Sequence, residues 1–445
     1  MEKLIVILLG LNMKFKVNLK AKTPFKVASD LGSILPDKKP WGMGPGTGPI
    51  YGPQKEVGSQ VISGIENGKV FQLIIAETQS GKTGTMVHIA QEYERIYCGS
   101  RGLGLGTGPS VVVVTGLSSV DWKVQTKSRF PPGFPVYHRN DLKKLSLNLE
   151  NCLLLIDEVQ IASKKDMSLD VLLQNCGAKD FDFLRENNVS IVMVSATPNK
   201  VYDDIKEWSP KDCQVVVQKN GYGYTGLKTL LESGRLLQAD DLWVTGYSAI
   251  DYAEKNALID ARIDVSLENI RKLRDFIMER YDSALFHIVR TPYTDAGEEV
   301  RCRFESECGS EFEYFQCDHS TDHDILKIIQ KKPSKHTFLF IKEQLRCAVT
   351  LHPKENVGVL YDRVSKMDNV MVQGLAGRAT GYDVPDHVVV FSSVKSIERY
   401  IECVDNGFNK MNVSYSGKGD TFVCRDNFVE DDKTSVHSMV SSING

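Results

Sequence analysis

The chain has no run approaching the ~20 consecutive apolar residues of a bilayer span, no excess of basic over acidic side chains, and no dense, evenly spaced cysteine framework. Each absence excludes a class. The first argues against a membrane-spanning helix. The second excludes a histone-like or polybasic binder, because 54 Lys and Arg face 57 Asp and Glu for a net charge of −3. The ten cysteines are scattered, as in Asn151-Cys152-Leu153 and Arg346-Cys347-Ala348, so reduced thiols in an intracellular compartment are expected rather than a secreted disulfide scaffold. Helix-turn-helix, zinc-finger and RNP motifs are also missing, which leaves no module for reading base sequence.

An apolar run from Leu4 to Leu11 has the look of a short signal-peptide core. Lys14, Lys16 and Lys20 follow it and no small-residue cleavage site appears, so a buried β-strand of a soluble protein is expected instead. With 42% hydrophobic and 25% charged residues over 445 positions, the composition is globular, and the length allows two or three domains. The segments Trp41–Gly52 and Gly99–Pro109 are dominated by glycine and proline and read as loops.

Short, nearly all-apolar runs at Phe71–Ala76, Val111–Thr115, Cys152–Ile156 and Ser190–Val194 fit strands buried on both faces. Polar turns and helical patterns follow them, for instance Met86, Ile89, Ala90, Tyr93, Ile96 and Tyr97 at helical spacing. That alternation predicts an α/β fold with parallel sheets. The second half repeats it, with a helix from Ser266 to Tyr281, strands at Ala284–Val289, Thr337–Ile341, Val357–Tyr361 and His387–Phe391, and an insertion between them. The expected organisation is an N-terminal extension at 1–49, α/β domains at 50–210 and 215–425, and a disordered tail at 426–445.

Ala76-Glu77-Thr78-Gln79-Ser80-Gly81-Lys82-Thr83 joins a buried strand to a helix and differs from the GxxxxGKT phosphate loop only in its first residue. In such a loop the backbone N–H groups of Thr78 to Gly84 and the helix N-terminus face phosphates, Lys82 adds mobile charge at the β and γ groups, and the Thr83 hydroxyl binds Mg²⁺. Downstream, Cys152–Ile156 runs straight into Asp157 and Glu158, two carboxylates at the C-terminal end of a buried strand. A hydrolytic site needs one carboxylate for the metal, here Asp157, and one to polarise the attacking water, here Glu158. The two motifs together predict ATP·Mg²⁺ hydrolysis.

Residues 50 to 400 resemble the superfamily 2 helicases and related ATPases. Ser195-Ala196-Thr197 is similar to the SAT motif of that family, which couples nucleotide state to the nucleic-acid track, and Asp157-Glu158-Val159-Gln160 to its DExH/DExD box. The resemblance implies two RecA-like domains in tandem, with Gln160 addressing the arginine motif and Gln54 reading adenine, Gln60 being a rival. Gln373-Gly-Leu-Ala-Gly377-Arg378-Ala-Thr-Gly381 looks like the QxxGRxxR motif, with Arg378 as arginine finger and Arg346 as rival or helper. Two departures stand out: Gln373 lies one residue further from the Gly-Arg pair than usual, and Gly381 takes the place of the second arginine. The block from Phe340 to Tyr382 resembles helicase-like proteins of large DNA viruses, which leaves virus replication site or virion among the expected locations.

For nucleic acid, Trp122, Lys123, Lys127, Arg129 and Arg139 follow the strand VVVVT, with Tyr137, His138, Lys143 and Lys144 nearby, and Arg290 follows ALFHIV in the second half. Basic residues interleaved with aromatics suit a groove that holds the DNA or RNA backbone without sequence readout. Cys302, Cys308, Cys317, His319 and His323 have ligand types for zinc, but their spacing lacks a tight CxxC knuckle; a strand hairpin without zinc is expected, from the alternation of Arg301 and Arg303 with Phe304 and Phe312. An ATP-driven helicase or single-strand translocase is the leading reading. A duplex translocase and a scaffold with a worn ATPase are its rivals.

Overall fold

The computed structural model describes residues 50–97, 110–118, 120–130, 134–142, 145, 147, 149–159, 161, 167–198, 201, 202, 205, 210–242, 252–291, 296–317, 324–342, 345, 349–363, 365 and 367–408. The run Leu4–Leu11, the loop 99–109 and the tail from 426 lie outside them.

Helix α1 (Gly52–Glu66) leads into β1 (Phe71–Ile75), α2 (Lys82–Tyr97), β2 (Ser110–Thr115), α3 (Val120–Arg129), β3 (Val136–Tyr137) and α4 (Arg139–Leu142). Then come β4 (Cys152–Asp157), α5 (Ser168–Asn175), α6 (Phe181–Glu186), β5 (Ser190–Ser195) and β6 (Cys213–Val217). These six strands form one parallel sheet in the order β3-β2-β4-β5-β1-β6. Strand β6 pairs with β1 in register from Phe71↔Cys213 to Ile75↔Val217, so the first sheet extends beyond the boundary expected at 210. The run Cys-Gln-Val-Val-Val at 213–217 is short and begins two residues after Lys211, which hid it from a pattern reading.

The second unit comprises α7 (Leu227–Glu232), β7 (Leu236–Gln238), α8 (Tyr252–Arg280), β8 (Phe286–Arg290), α9 (Ala296–Cys308), β9 (Phe312–Cys317) and α10 (Ile325–Ile328). It continues with β10 (His336–Ile341), β11 (Val357–Tyr361), α11 (Asp368–Val372), α12 (Leu375–Arg378), β12 (Val389–Ser392) and α13 (Val394–Asp405). Its strands are again all parallel, in the order β7-β12-β11-β8-β10-β9. The α/β fold class expected from the alternation of runs and helices is the one observed.

The segment read as an inserted hairpin is a helix, α9, followed by an edge strand, β9, that pairs in parallel with β10. Arg301 and Arg303 looked like strand alternation, but each pairs with a glutamate four positions away, Glu305 and Glu299, which is the spacing of a helix face. Cys302 is exposed on α9, Cys308 and Cys317 are buried at the ends of α9 and β9, and His319 and His323 lie outside the described residues.

Alternate residues of each central strand enter opposite cores. Phe71, Leu73 and Ile75 of β1 pack on one face with Leu169, Leu172, Phe181 and Leu184, while Ile74 faces Met86, Ile89, Ala90 and Tyr93 of α2. This is why the strands read as continuous apolar runs. In the second unit, Phe304 of α9 packs against Phe338 and Phe340 of β10.

One polar pair sits deep in that second core. His287 Nδ1 accepts from the Val359 N–H at 3.2 Å, and its Nε2 lies 2.9 Å from His336 Nδ1, which also faces the Leu285 N–H. Both rings must therefore be neutral for the bonds to hold. Burial, and then the neighbouring imidazole, pushes the His287 pKa well below 6.5. An unfolded chain binds protons that the folded chain refuses, so stability is fully present above pH 6.5 and declines as pH falls below it, by up to about 1.4 kcal/mol per unit for one such group. Melting temperature measured between pH 7.5 and 5.5 should drop below pH 6.5, and His287→Gln should flatten that slope; equal slopes would assign the acid sensitivity elsewhere.

Candidate nucleotide site between the two sheets

The loop after β1 turns sharply. Gln79 has φ +54° and Gly81 φ +94°, and the chain then enters α2 at Lys82. Gly81 is needed there, since an L side chain rarely adopts that conformation and an added Cβ would collide with the Gln54 amide. Ser80 closes the turn by donating its hydroxyl to the Glu77 carbonyl at 2.7 Å. Gln218, just past β6, donates to the Ser80 carbonyl at 3.0 Å and accepts from the Thr85 hydroxyl at 2.6 Å, which holds the loop from below. Nothing in the sequence pointed to Gln218, because its role depends on β6 pairing next to β1.

Gln54 does not hold its amide open for a base. Its Oε1 accepts from the Tyr51 N–H at 2.7 Å and its Nε2 donates to the Gly81 carbonyl at 2.8 Å, so it caps α1 and ties it to the loop. Its rival Gln60 is exposed and lines a separate shallow groove with Ser59, Ser63 and Lys69. Lys82 donates to the Glu77 carbonyl at 3.3 Å and stands 3.7 Å from Glu158 Oε1.

Asp157 and Glu158 are both 2% exposed at the end of β4, and Glu158 adopts φ +50°, a strained conformation for a side chain of its size. Burial and the adjacent Glu158 raise the Asp157 pKa well above the usual carboxylate range, while Lys82 and the Trp122 N–H oppose the rise. Asp157 Oδ2 accepts from Trp122 Nε1 at 2.7 Å. Its Oδ1 has no hydrogen-bond partner among the described residues, and Asp157 lines the cleft with Thr83. A buried carboxylate oxygen left open beside a threonine fits a hard cation with oxygen ligands.

The second unit completes the cleft. Gln373, in the turn after α11, donates to Glu158 Oε2 at 2.8 Å across the interface. The extra residue before the Gly-Arg pair is absorbed in that turn, with α12 restarting at Leu375. Arg378 is buried, donates to the Val349 and Gln373 carbonyls, and lines the cleft. Gly377 permits the close approach: a Cβ there would lie 2.4 Å from the Val372 carbonyl and 3.0 Å from Thr78 Cγ2. The Thr380 hydroxyl donates to the Thr78 carbonyl at 2.8 Å, and Tyr224 reaches the same carbonyl. Thr197 closes the turn after β5 by donating its N–H to the Ser195 hydroxyl at 3.0 Å, and Tyr400 of α13 donates to the Ala196 carbonyl at 3.3 Å. The cleft measures about 250 Å³ and includes Tyr51, Lys82, Thr83, Arg129, Asp157, Lys354, Arg378 and Tyr382, with Tyr51 and Tyr382 stacked at 5.3 Å across its mouth.

The residues expected along a nucleic-acid track are dispersed. Trp122 is 1% exposed and serves Asp157, since the start of α3 packs over the end of β4. Arg129 lines the cleft between the two sheets, at the other end of the same helix. Arg290 is buried and paired with Asp362 at 2.8 Å, because β8 and β11 are neighbours. Lys123 pairs with Asp141 at 2.6 Å, and together with exposed Lys127, Tyr137 and Asn140 it lines a groove of about 550 Å³ beside the edge strand β3. Burial disfavours the Asp141 charge, but hydrogen bonds from Lys123 and His138 outweigh it and hold the pKa down to about 2. Arg139 is half-buried and donates its backbone N–H to the Leu117 carbonyl at 2.8 Å. Gln160, Lys143, Lys144 and Arg346 lie outside the described residues, among which no helix is long and apolar enough to cross a membrane.

No protein-family model matches the chain. Its two sheets each hold six parallel strands, and solved structures similar to it include helicases. Mss116p bound to single-stranded RNA and AMP-PNP is 10% identical, with a TM-score of 0.45, over 81% of this chain and 76% of its own. Dbp5 of Saccharomyces cerevisiae, bound to RNA and ADP BeF3, is also 10% identical, with a TM-score of 0.40, over 88% and 97%. The DEAH/RHA helicase HrpB of Escherichia coli is 13% identical, with a TM-score of 0.43, and this chain spans 43% of its length. In sequence, an uncharacterized protein of Acanthamoeba polyphaga mimivirus, L594, is 24% identical over 358 residues, 75% of this chain and 83% of its own.

Replacing Trp122 with Phe keeps most of the buried volume and removes the donor to Asp157, leaving a second carboxylate oxygen without its bond. We expect the variant to lose about 1.5–3 kcal/mol of stability in urea denaturation; a loss below about 0.5 kcal/mol would mean that the indole N–H does not hold this carboxylate.

Proposed function

We propose that the chain is a nucleic-acid-dependent ATPase of the superfamily 2 type, hydrolysing ATP between its two units and moving along a DNA or RNA strand. The observation that carries this reading is the Gln373–Glu158 hydrogen bond, which puts a residue of the second unit on the catalytic carboxylate of the first. Phosphate would sit against the backbone of residues 78–84, with Lys82 swinging from Glu158 to the β and γ groups. Magnesium, held by Thr83 and Asp157, would neutralise charge on those phosphates when bound. Glu158, released from Lys82, would then orient and deprotonate the attacking water, with Gln373 fixing the carboxylate. Arg378 would meet the charge that develops on the transferred phosphoryl group.

Tyr51 and Tyr382 line the cleft and stack on each other, and their apolar faces suit a nucleobase. Because the same cleft joins both sheets, a nucleotide there biases how the two units sit together, and Tyr400 on the Ala196 carbonyl extends that coupling beyond the cleft. Backbone phosphates of one strand would bind without base readout, the groove of Lys123 and Lys127 being one contact surface.

Three variants and a ligand series test the reading. Lys82→Ala should abolish ATP hydrolysis with the fold intact. Glu158→Gln should bind ATP and fail to hydrolyse it, and Arg378→Ala should lower turnover by on the order of 10³-fold with little loss of affinity. Steady-state ATPase rates with single-stranded and duplex DNA and RNA should show stimulation by a single strand that weakens as salt rises. Preference for duplex would instead mean a duplex translocase. No Lys82-dependent hydrolysis, and no nucleic-acid binding at low salt, would leave only a scaffold.

A further inference from the structure

Position 381, three residues after Arg378, holds glycine where the motif has its second arginine. The backbone explains why an arginine is not tolerated. Gly381 has φ +121° and pairs with Thr225 in an antiparallel bridge. A Cβ built on it would lie 3.3 Å from the Nζ of Lys354. The ammonium group therefore stands in tight contact with the place where a side chain at 381 would begin.

Lys354 comes from a different element, the loop that enters β11, and is 6% exposed. It donates to the Thr380 carbonyl, its hydrogen-bond partner among the described residues, and lines the nucleotide cleft with Arg378, Lys82 and Thr83. Burial and the Arg378 charge push its pKa down to about 8, with Asp383 and Glu355 opposing. Two buried cations that repel one another and line the same cleft, with Lys354 on the Thr380 carbonyl, form an arrangement that an anion would complete.

We infer that Lys354 is the second phosphate-binding cation of the nucleotide cleft, reaching the terminal phosphate of ATP beside Arg378 from a loop outside the arginine motif. The inference rests on the nucleotide reading above and goes beyond it by assigning a residue that no motif contains. The Gly381 exchange is then a relocation of charge rather than a loss of it. Contact with the terminal phosphate also makes Lys354 discriminate ATP from ADP.

The test compares the unaltered chain with Lys354→Gln, which keeps a donor for the Thr380 carbonyl and removes the charge, and Lys354→Arg, which keeps the charge. Lys354→Gln should lower ATP turnover by about 10²-fold. Its affinity for AMP-PNP should fall about tenfold, the loss of one phosphate contact of roughly 1.4 kcal/mol, while ADP affinity holds. Lys354→Arg should restore turnover to within a few-fold. Unaltered turnover and unaltered AMP-PNP affinity in Lys354→Gln overturn the inference alone. Hydrolysis by the unaltered chain no greater than that of Lys82→Ala overturns the nucleotide reading and this inference with it. Should Lys354→Gln fail to fold, the ratio of AMP-PNP to ADP affinity between pH 7 and 9.5 decides: it should fade above about pH 8 in the unaltered chain and persist in Lys354→Arg. The same profile in both would overturn the assignment.

Discussion

Two adjacent carboxylates buried at the end of one strand are the constraint on which the centre of this molecule is organised. Asp157 and Glu158 are each 2% exposed, and two such charges cannot be taken out of water without partners. Their partners come from three elements far apart in sequence. Lys82 arrives from the start of α2, Trp122 from α3, and Gln373 from the second unit. Satisfying one buried pair thus ties together the loop after β1, a helix of the first unit and a turn of the second. The remaining oxygen, Asp157 Oδ1, is the one these partners leave open, on a residue that lines the cleft.

The interface between the units is polar where it meets the loop. Thr380 and Tyr224 share the Thr78 carbonyl, and Gly377 lets α12 press against Thr78. Hydrogen bonds of this kind contribute about 1 kcal/mol each and depend steeply on geometry, so they can be exchanged for contacts to a nucleotide at modest cost. A large apolar interface would resist that exchange. One apolar cluster does include residues of both units, among them Val201 and Tyr202 of the first and Leu227, Leu230, Met371 and Tyr400 of the second.

Helix α3 illustrates how a charge pattern misleads. Its Trp122, Lys123, Lys127 and Arg129 read as one exposed basic and aromatic strip, yet they point to two different places. Trp122 and Arg129 both turn to the cleft that Asp157 lines, and Lys123 and Lys127 face the groove beside β3. Residues at i and i+7 share one face of a helix and those at i+1 and i+5 another, so no single surface could have held them all. Arg290 misled for a related reason: it ends a strand, as expected, but the neighbouring strand supplies Asp362.

Some of the architecture was legible in the order of the residues. Strands buried on both faces write themselves as continuous apolar runs, the loop at 76–83 needs glycine and lysine at given positions, and Asp157-Glu158 directly follows such a run; these are local demands, met by neighbours in the chain. The relations between distant residues were not legible. That Gln218 holds the loop, that Gln373 reaches Glu158, and that the Lys354 ammonium fills the space beside Gly381 depend on sheets stacking and loops crossing. Hydrogen bonds and buried charges are satisfied by whichever partner is near in space, and over a separation of 27 to 215 residues only the tertiary structure decides which partner that is.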